Sequence, residues 1–150
     1  MNIASILAKK GGQVFTVRPE QTIRQALSIL AERNVGALVV VDGNGSPVGI
    51  LSERDVVRHL ARDETVLALA VDKLMTHPVI TGVPHDDLRS AGTTMTAKHI
   101  RHLPVLDGGR LVGVISIGDI VKAERDAYEG EIETLEAQLI DEGQGKVIKH

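Results

Sequence analysis

Gly49-Ile50-Leu51-Ser52-Glu53-Arg54-Asp55-Val56-Val57 and Gly113-Val114-Ile115-Ser116-Ile117-Gly118-Asp119-Ile120-Val121 are one pattern written twice, about 64 positions apart. In each, a glycine and two aliphatics lead to a serine, and an aspartate follows three positions later, ahead of two more aliphatics. The correspondence spreads upstream. Val14, Thr16, Pro19, Ile23, Ala26, Val35, Leu38, Val40 and Asp42 recur as Val79, Thr81, Pro84, Leu88, Ala91, Ile100, Leu103, Val105 and Asp107, about 65 positions on, with one residue lost in the turn between Asp107 and Leu111. Agreement of this length marks two copies of a unit of roughly 50 residues. A unit that small does not readily fold alone, so the two copies are expected to share a core.

Each copy reads as strand, helix, strand, strand, helix. Val14 to Val17 and Val79 to Thr81 are β-branched runs closed by Pro19 and Pro84, which predicts a brief strand and then a helix start. Ile23, Ala26, Leu27, Leu30 and Ala31 recur at helical spacing with charged residues between them, giving one apolar face. Leu38 to Val41 is a continuous apolar run suited to a buried strand, and Asp42-Gly43-Asn44-Gly45-Ser46-Pro47 is a turn before Val48 to Leu51, so a hairpin is expected. Ser52 then stands where an N-cap would, ahead of the helical pattern Val56, Val57, Leu60. Thr65 to Val71, between the copies, is too apolar for a free linker and is expected to pack.

After Ala123 the composition changes. Residues 122 to 142 hold eight acids against two bases, a local net of about −6 that outweighs the −3 of the whole chain. Val121, Tyr128, Ile132, Leu135 and Leu139 keep a coiled-coil-like spacing over under three heptads, and Gly143 to His150 are expected to fray.

Composition narrows the function. With 150 residues the chain has the size of one compact domain, and at 43% hydrophobic but 1% aromatic, a single Phe15 and a single Tyr128, its core must be aliphatic. That argues against base-stacking single-strand binders, and a net charge of −3 gives no basic footprint for nucleic acid or anionic membrane. The absence of cysteine removes disulfides, thiolate metal sites and cysteine nucleophiles. No apolar run approaches the roughly 18 residues of a membrane span, and the chain is read as soluble, unprocessed and cytoplasmic.

The repeated motif has chemistry to offer. A serine hydroxyl and a carboxylate at a helix N-terminus, beside free backbone amides, can hold phosphate while the aspartate accepts hydrogen bonds from ribose hydroxyls. The same residues can simply cap helices, and the motif alone leaves both uses open. His99 and His102 are three apart, yet no adjacent carboxylate or thiol completes a metal set. No nucleophile elbow surrounds Ser52 or Ser116, and no Gly-Lys-Ser/Thr follows the glycines of 42–45. No catalytic residue and no metal ligand is assigned.

On the two serine-aspartate blocks and the runs Val35 to Asp42 and Ile100 to Asp107, the chain resembles the CBS domain family, named for cystathionine beta-synthase, and specifically a stand-alone tandem CBS pair, over roughly residues 7 to 125. The resemblance implies an α/β fold of two β-α-β-β-α repeats packed about a pseudo-twofold axis and followed by a C-terminal helix. Its expected divisions are 7–62 and 73–125 for the repeats, 63–72 for the connection and 126–150 for the acidic helix and tail. It also implies a regulatory sensor without catalysis, binding AMP, ADP, ATP or an adenosine-containing dinucleotide such as NAD in two clefts. The alternative is a purely structural homodimerisation module with empty clefts.

Carried over by position, the ribose-binding aspartates correspond to Asp55 and Asp119 and the phosphate-facing hydroxyls to Ser52 and Ser116. The resemblance implies that Val114, Ser116 and Asp119 face Gly12, Val35, Gly36 and Ala37, while Ile50, Ser52, Arg54 and Asp55 face His77, Ile100, Arg101 and His102. Arg54, Arg101 and His102 would then favour longer phosphate chains in the cleft of Asp55, whereas Gly118, Gly36 and Ala37 leave that of Asp119 poorer in cations. The expected partners are a second copy, through Val56, Leu60, Ile120 and Val121, and an unidentified protein target.

Overall fold

A computed structural model describes residues 1–142, and the expectation for Gly143 to His150 lies outside that range. In chain order the elements are α1 (Ile3–Lys10), β1 (Thr16–Val17), α2 (Ile23–Arg33), β2 (Ala37–Val41), β3 (Pro47–Ser52) and α3 (Glu53–Leu60). Two 3-10 turns (Glu64–Ala68 and Val71–Lys73) follow, then α4 (Leu88–Ala97), β4 (His102–Asp107), β5 (Arg110–Ser116) and α5 (Ile117–Glu142).

Local chemistry accounts for several boundaries. Thr22 caps α2 in a reciprocal box with Gln25, and Asp87 caps α4 by accepting from Ser90 N–H at 3.0 Å. The first hairpin turns on Asp42, whose Oδ1 accepts from Asn44 N–H and Ser46 N–H at 2.9 and 3.0 Å. In the second hairpin Gly108 and Gly109 take φ of +58° and +80° between the paired residues Asp107 and Arg110, a two-residue turn that glycine enters without strain. The residue missing from the second copy was lost there.

The first copy has a three-stranded sheet, with β1 parallel to β2 and β2 antiparallel to β3. The second has only the β4–β5 hairpin, and the strand expected over 79–81 is reduced to a single parallel bridge, Gly82 to Val105. Pro104 explains the loss. Its counterpart Val39 donates its N–H to Phe15 O at 3.2 Å, tying β1 to β2, and a proline has no N–H to repeat that bond.

Two aliphatic cores form, and each is completed by the leading segment of the other copy. Ile3 and Ile6 of α1 pack with Leu88, Met95, Val105 and Ile115 of the second copy, while Val66, Val71 and Leu74 pack with Val17, Ile23, Val40 and Leu51 of the first. Backbone bonds repeat the exchange. Ile3 and Ala4 N–H donate to Asp86 and Pro84 O at 3.0 and 2.6 Å, as Val71 and Asp72 N–H donate to Gln21 and Pro19 O at 2.8 and 3.1 Å. Two glycines in the strands make room: a Cβ at Gly113 would lie 2.6 Å from Leu7 Cδ2, and one at Gly49 would lie 2.6 Å from Met75 Sδ. The 65–71 stretch therefore packs, as its apolar residues require.

One expectation is corrected. Val56 and Ile120 are 1% and 4% exposed, because they are the core-facing residues of α3 and the start of α5, so neither can supply an interface between copies. Their neighbours Val57 and Val121 are the exposed pair, at 63% and 56%. The last helix of the second repeat runs on through the acidic stretch as one uninterrupted element, and residues 124–141 are exposed.

Candidate functional site

The two serine-aspartate blocks fold alike. Ser52 Oγ accepts from Asp55 N–H at 3.2 Å and Asp55 Oδ2 accepts from Ser52 N–H at 3.4 Å. In the second copy the matching distances are 3.0 Å from Asp119 N–H to Ser116 Oγ and 2.8 Å from Ser116 N–H to Asp119 Oδ2. Capping and pre-positioning are here the same act: the box fixes each carboxylate at the positive end of its helix, half-buried.

The segments before β2 and β4 close on these helix starts. Glu53 N–H donates to Gly36 O at 2.9 Å and Ile117 N–H donates to Arg101 O at 3.0 Å, while the ladders pair Ala37 with Ser52 and His102 with Ser116. Val35-Gly36-Ala37 and Ile100-Arg101-His102 are thus bonded within their own repeats. The leading segments do cross. Thr76 exchanges backbone bonds with Ile50, N–H to O at 2.8 and 3.1 Å, which brings His77 beside the first repeat. Gly12 lies against β5, where a Cβ would meet Val112 O at 2.5 Å.

One residue that the sequence reading did not include stands closest to a candidate ribose carboxylate. Lys10, the last residue of α1, donates from Nζ to Asp119 Oδ2 at 2.7 Å and to Val114 O at 3.0 Å. Repeat alignment could not find it, because it precedes Val14, the first residue with a counterpart. The available signal was the Lys9-Lys10 pair ahead of Gly11-Gly12. Burial works to raise the Asp119 pKa, but the Lys10 hydrogen bond and charge and the Ser116 bonds outweigh it and hold the carboxyl below the usual range.

His102 feels the same group. Burial, and then the charge of Lys10 and of Arg101, lower its pKa against the opposing pull of Asp119 and Glu53. Arg54 and Arg101 are exposed. Among the described residues, the cation bonded to an aspartate of the motif comes from α1, at the head of the first repeat, and reaches Asp119 of the second. A cleft of about 290 Å³ opens beside it between α1 and α5, lined by Ser5, Lys9, Lys10, Asp119, Lys122 and Asp126 among others.

Comparison with known proteins gives this geometry a context. The CBS domain pattern matches residues 5–62 and again 71–126. The chain is 35% identical over 108 residues to the CBS domain-containing protein YhcV of Bacillus subtilis, covering 72% of this chain and 76% of that protein. Its fold is similar to that of the CBS-domain containing protein ATU1752 from Agrobacterium tumefaciens, with a TM-score of 0.77 and 37% identity over 82% of this chain and 92% of that one. It is also similar to the CBS domain pair of protein MJ0100 in complex with 5-methylthioadenosine and S-adenosyl-L-methionine, with a TM-score of 0.74 and 26% identity over 85% and 98% of the two chains. Among the described residues no helix is long and apolar enough to cross a membrane.

Proposed function

We propose, from the fact that this chain belongs to the CBS domain family and carries two copies of its domain, that it is a regulatory module whose two clefts take adenosine-containing ligands. The observation that carries the reading is the duplicated serine-aspartate box, which holds a half-buried carboxylate at a helix start in each repeat. A ribose offers two vicinal hydroxyls to such a carboxylate, and a phosphate suits the helix start beside it. The MJ0100 pair, similar in fold, holds two adenosine compounds. Around each adenine the reading places aliphatic side chains and backbone: Ile50, Ile100 and His77 for one, Val114, Val35 and Gly12 for the other. Arg54, Arg101 and His102 lie toward the phosphates. AMP, ADP, ATP, NAD and S-adenosylmethionine are the compounds to test.

The reading is one of sensing without turnover. Occupancy is passed to a protein target in the cytoplasm, and the module acts as a homodimer in which exposed Val57 and Val121, at equivalent positions of the two repeats, meet a second copy.

Calorimetric titration and thermal melting with these compounds test it. A bound ligand at a hundredfold excess over its dissociation constant raises stability by about 2.7 kcal/mol. Asp55→Ala and Asp119→Ala should each weaken one cleft by about 1.5–3 kcal/mol, the worth of a hydrogen bond to a charged group. If no adenosine compound gives heat or shifts the melt, the module is structural and its clefts have no ligand. Undiminished binding by the double variant would remove the aspartates from the site.

A further inference from the structure

The two repeats satisfy equivalent carbonyls by different means. Ile50 O accepts from the backbone N–H of Thr76 at 2.8 Å, whereas its counterpart Val114 O accepts from the ammonium of Lys10 at 3.0 Å. The same ammonium lies 2.7 Å from Asp119 Oδ2. The position is built rather than incidental. Gly11, at φ +88°, turns the chain out of α1, and Gly12 is pressed so closely on Val112 O that a side chain there would force a shift. The end of α1 is therefore tied to β5 through Lys10 and Val114, with Gly12 packed close against Val112, and Lys10 reaches the carboxylate at the start of α5.

From this we infer that Lys10 determines the ligand class of the second cleft, selecting adenosine compounds that carry a negative charge over neutral ones. The inference rests on the reading of the clefts as adenosine sites. An ammonium has three protons, and two are committed to Asp119 and Val114, which leaves one for a phosphate or carboxylate oxygen. Asp119 Oδ2 accepts from both Lys10 and Ser116 N–H, and Oδ1 carries neither bond and can meet a ribose hydroxyl. An anionic ligand thus gains a charge-assisted bond without breaking the existing pair. A neutral nucleoside gains nothing from Lys10, and one that pulls Asp119 away leaves the ammonium uncompensated. In the first cleft the matching carbonyl is taken by backbone, and among the described residues no lysine is bonded to Asp55.

The test uses the full chain carrying Asp55→Ala to silence the first cleft, with AMP and adenosine as probes in calorimetric titration. The expected result is that AMP binds more tightly than adenosine, that Lys10→Met reduces this preference by about tenfold, and that Lys10→Arg keeps most of it. Lys10 is 41% exposed, so neither change disturbs a core. A preference unchanged by Lys10→Met overturns the inference while leaving the adenosine reading intact. So does an equal loss for both probes, which would make Lys10 a structural tie. If neither probe binds even the unaltered chain, the adenosine reading fails and this inference with it.

Discussion

His102 is where the chemistry of single residues becomes measurable as stability. It is half-buried on β4, opposite Ser116, with Lys10, Arg101, Asp119 and Glu53 all acting on its charge. Burial and the two cations depress its pKa, so the folded chain holds the imidazole neutral while the unfolded chain takes up a proton near the ordinary value of about 6.5. Its contribution is therefore present above that value and is lost as pH falls below it. Melting temperature should decline between pH 7.5 and 5.5, and His102→Gln should flatten that part of the profile. An unchanged slope in the variant would assign the effect to other groups. Asp119, also depressed, acts in the same sense but at lower pH, below the usual carboxylate value. The two effects separate along the pH axis.

Among the elements, α5 departs furthest from the domain pattern. Its 26 residues span about 39 Å, and the family match ends at residue 126, well before the helix does. Tyr128, Ile132, Leu135 and Leu139 are 66%, 41%, 52% and 58% exposed, yet Glu129, Glu131 and Glu136 flank that seam. Against a second copy in either orientation those carboxylates face one another and repel. Gly130, at an open position, further weakens the helix by roughly 1 kcal/mol relative to alanine. Association between copies should accordingly survive without the seam. Deleting residues 132–150 keeps the part of α5 that lies near α4 and should leave a homodimer in light scattering. A truncated chain that is monomeric at about 50 micromolar, while the full chain is dimeric, would move the interface to the tail.

The whole molecule shows which parts of this architecture a sequence can disclose. The Ser52 and Ser116 caps, the hairpins and the amphipathic helices were legible because each depends on residues within a few positions of one another. The missing bond of Pro104 could be read only after alignment with Val39 and knowledge of its partner strand. The exchange of leading segments is different in kind: Ile3 and Val71 are both fully buried, but nothing near them in sequence says which core they enter. The partners of Lys10 could not be read for the same reason, since Val114 and Asp119 are over a hundred positions away.

The exchange also decides how the chain unfolds. Because α1 completes the second core and the 64–74 segment completes the first, neither repeat can lose its structure without stripping apolar cover from the other. Ile3→Ala tests this at the point of greatest leverage, a fully buried side chain contributed to the second core by the first repeat's leading segment. Loss of a buried isoleucine side chain to alanine should cost about 2–5 kcal/mol. In a chain coupled by exchange, that loss lowers the stability of both repeats together, so urea unfolding followed by circular dichroism should keep one transition, with an unchanged slope and a lower midpoint. If the repeats were independent, the variant would instead show two transitions, the first copy melting where it does in the unaltered chain and the second well before it. Hydrogen exchange at Val40 and Val105, each fully buried in one of the two cores, gives the same answer residue by residue. Coupled repeats predict that both amides speed up in Ile3→Ala by the same factor, whereas acceleration at Val105 alone would show that the leading segments are shared in space but not in energy.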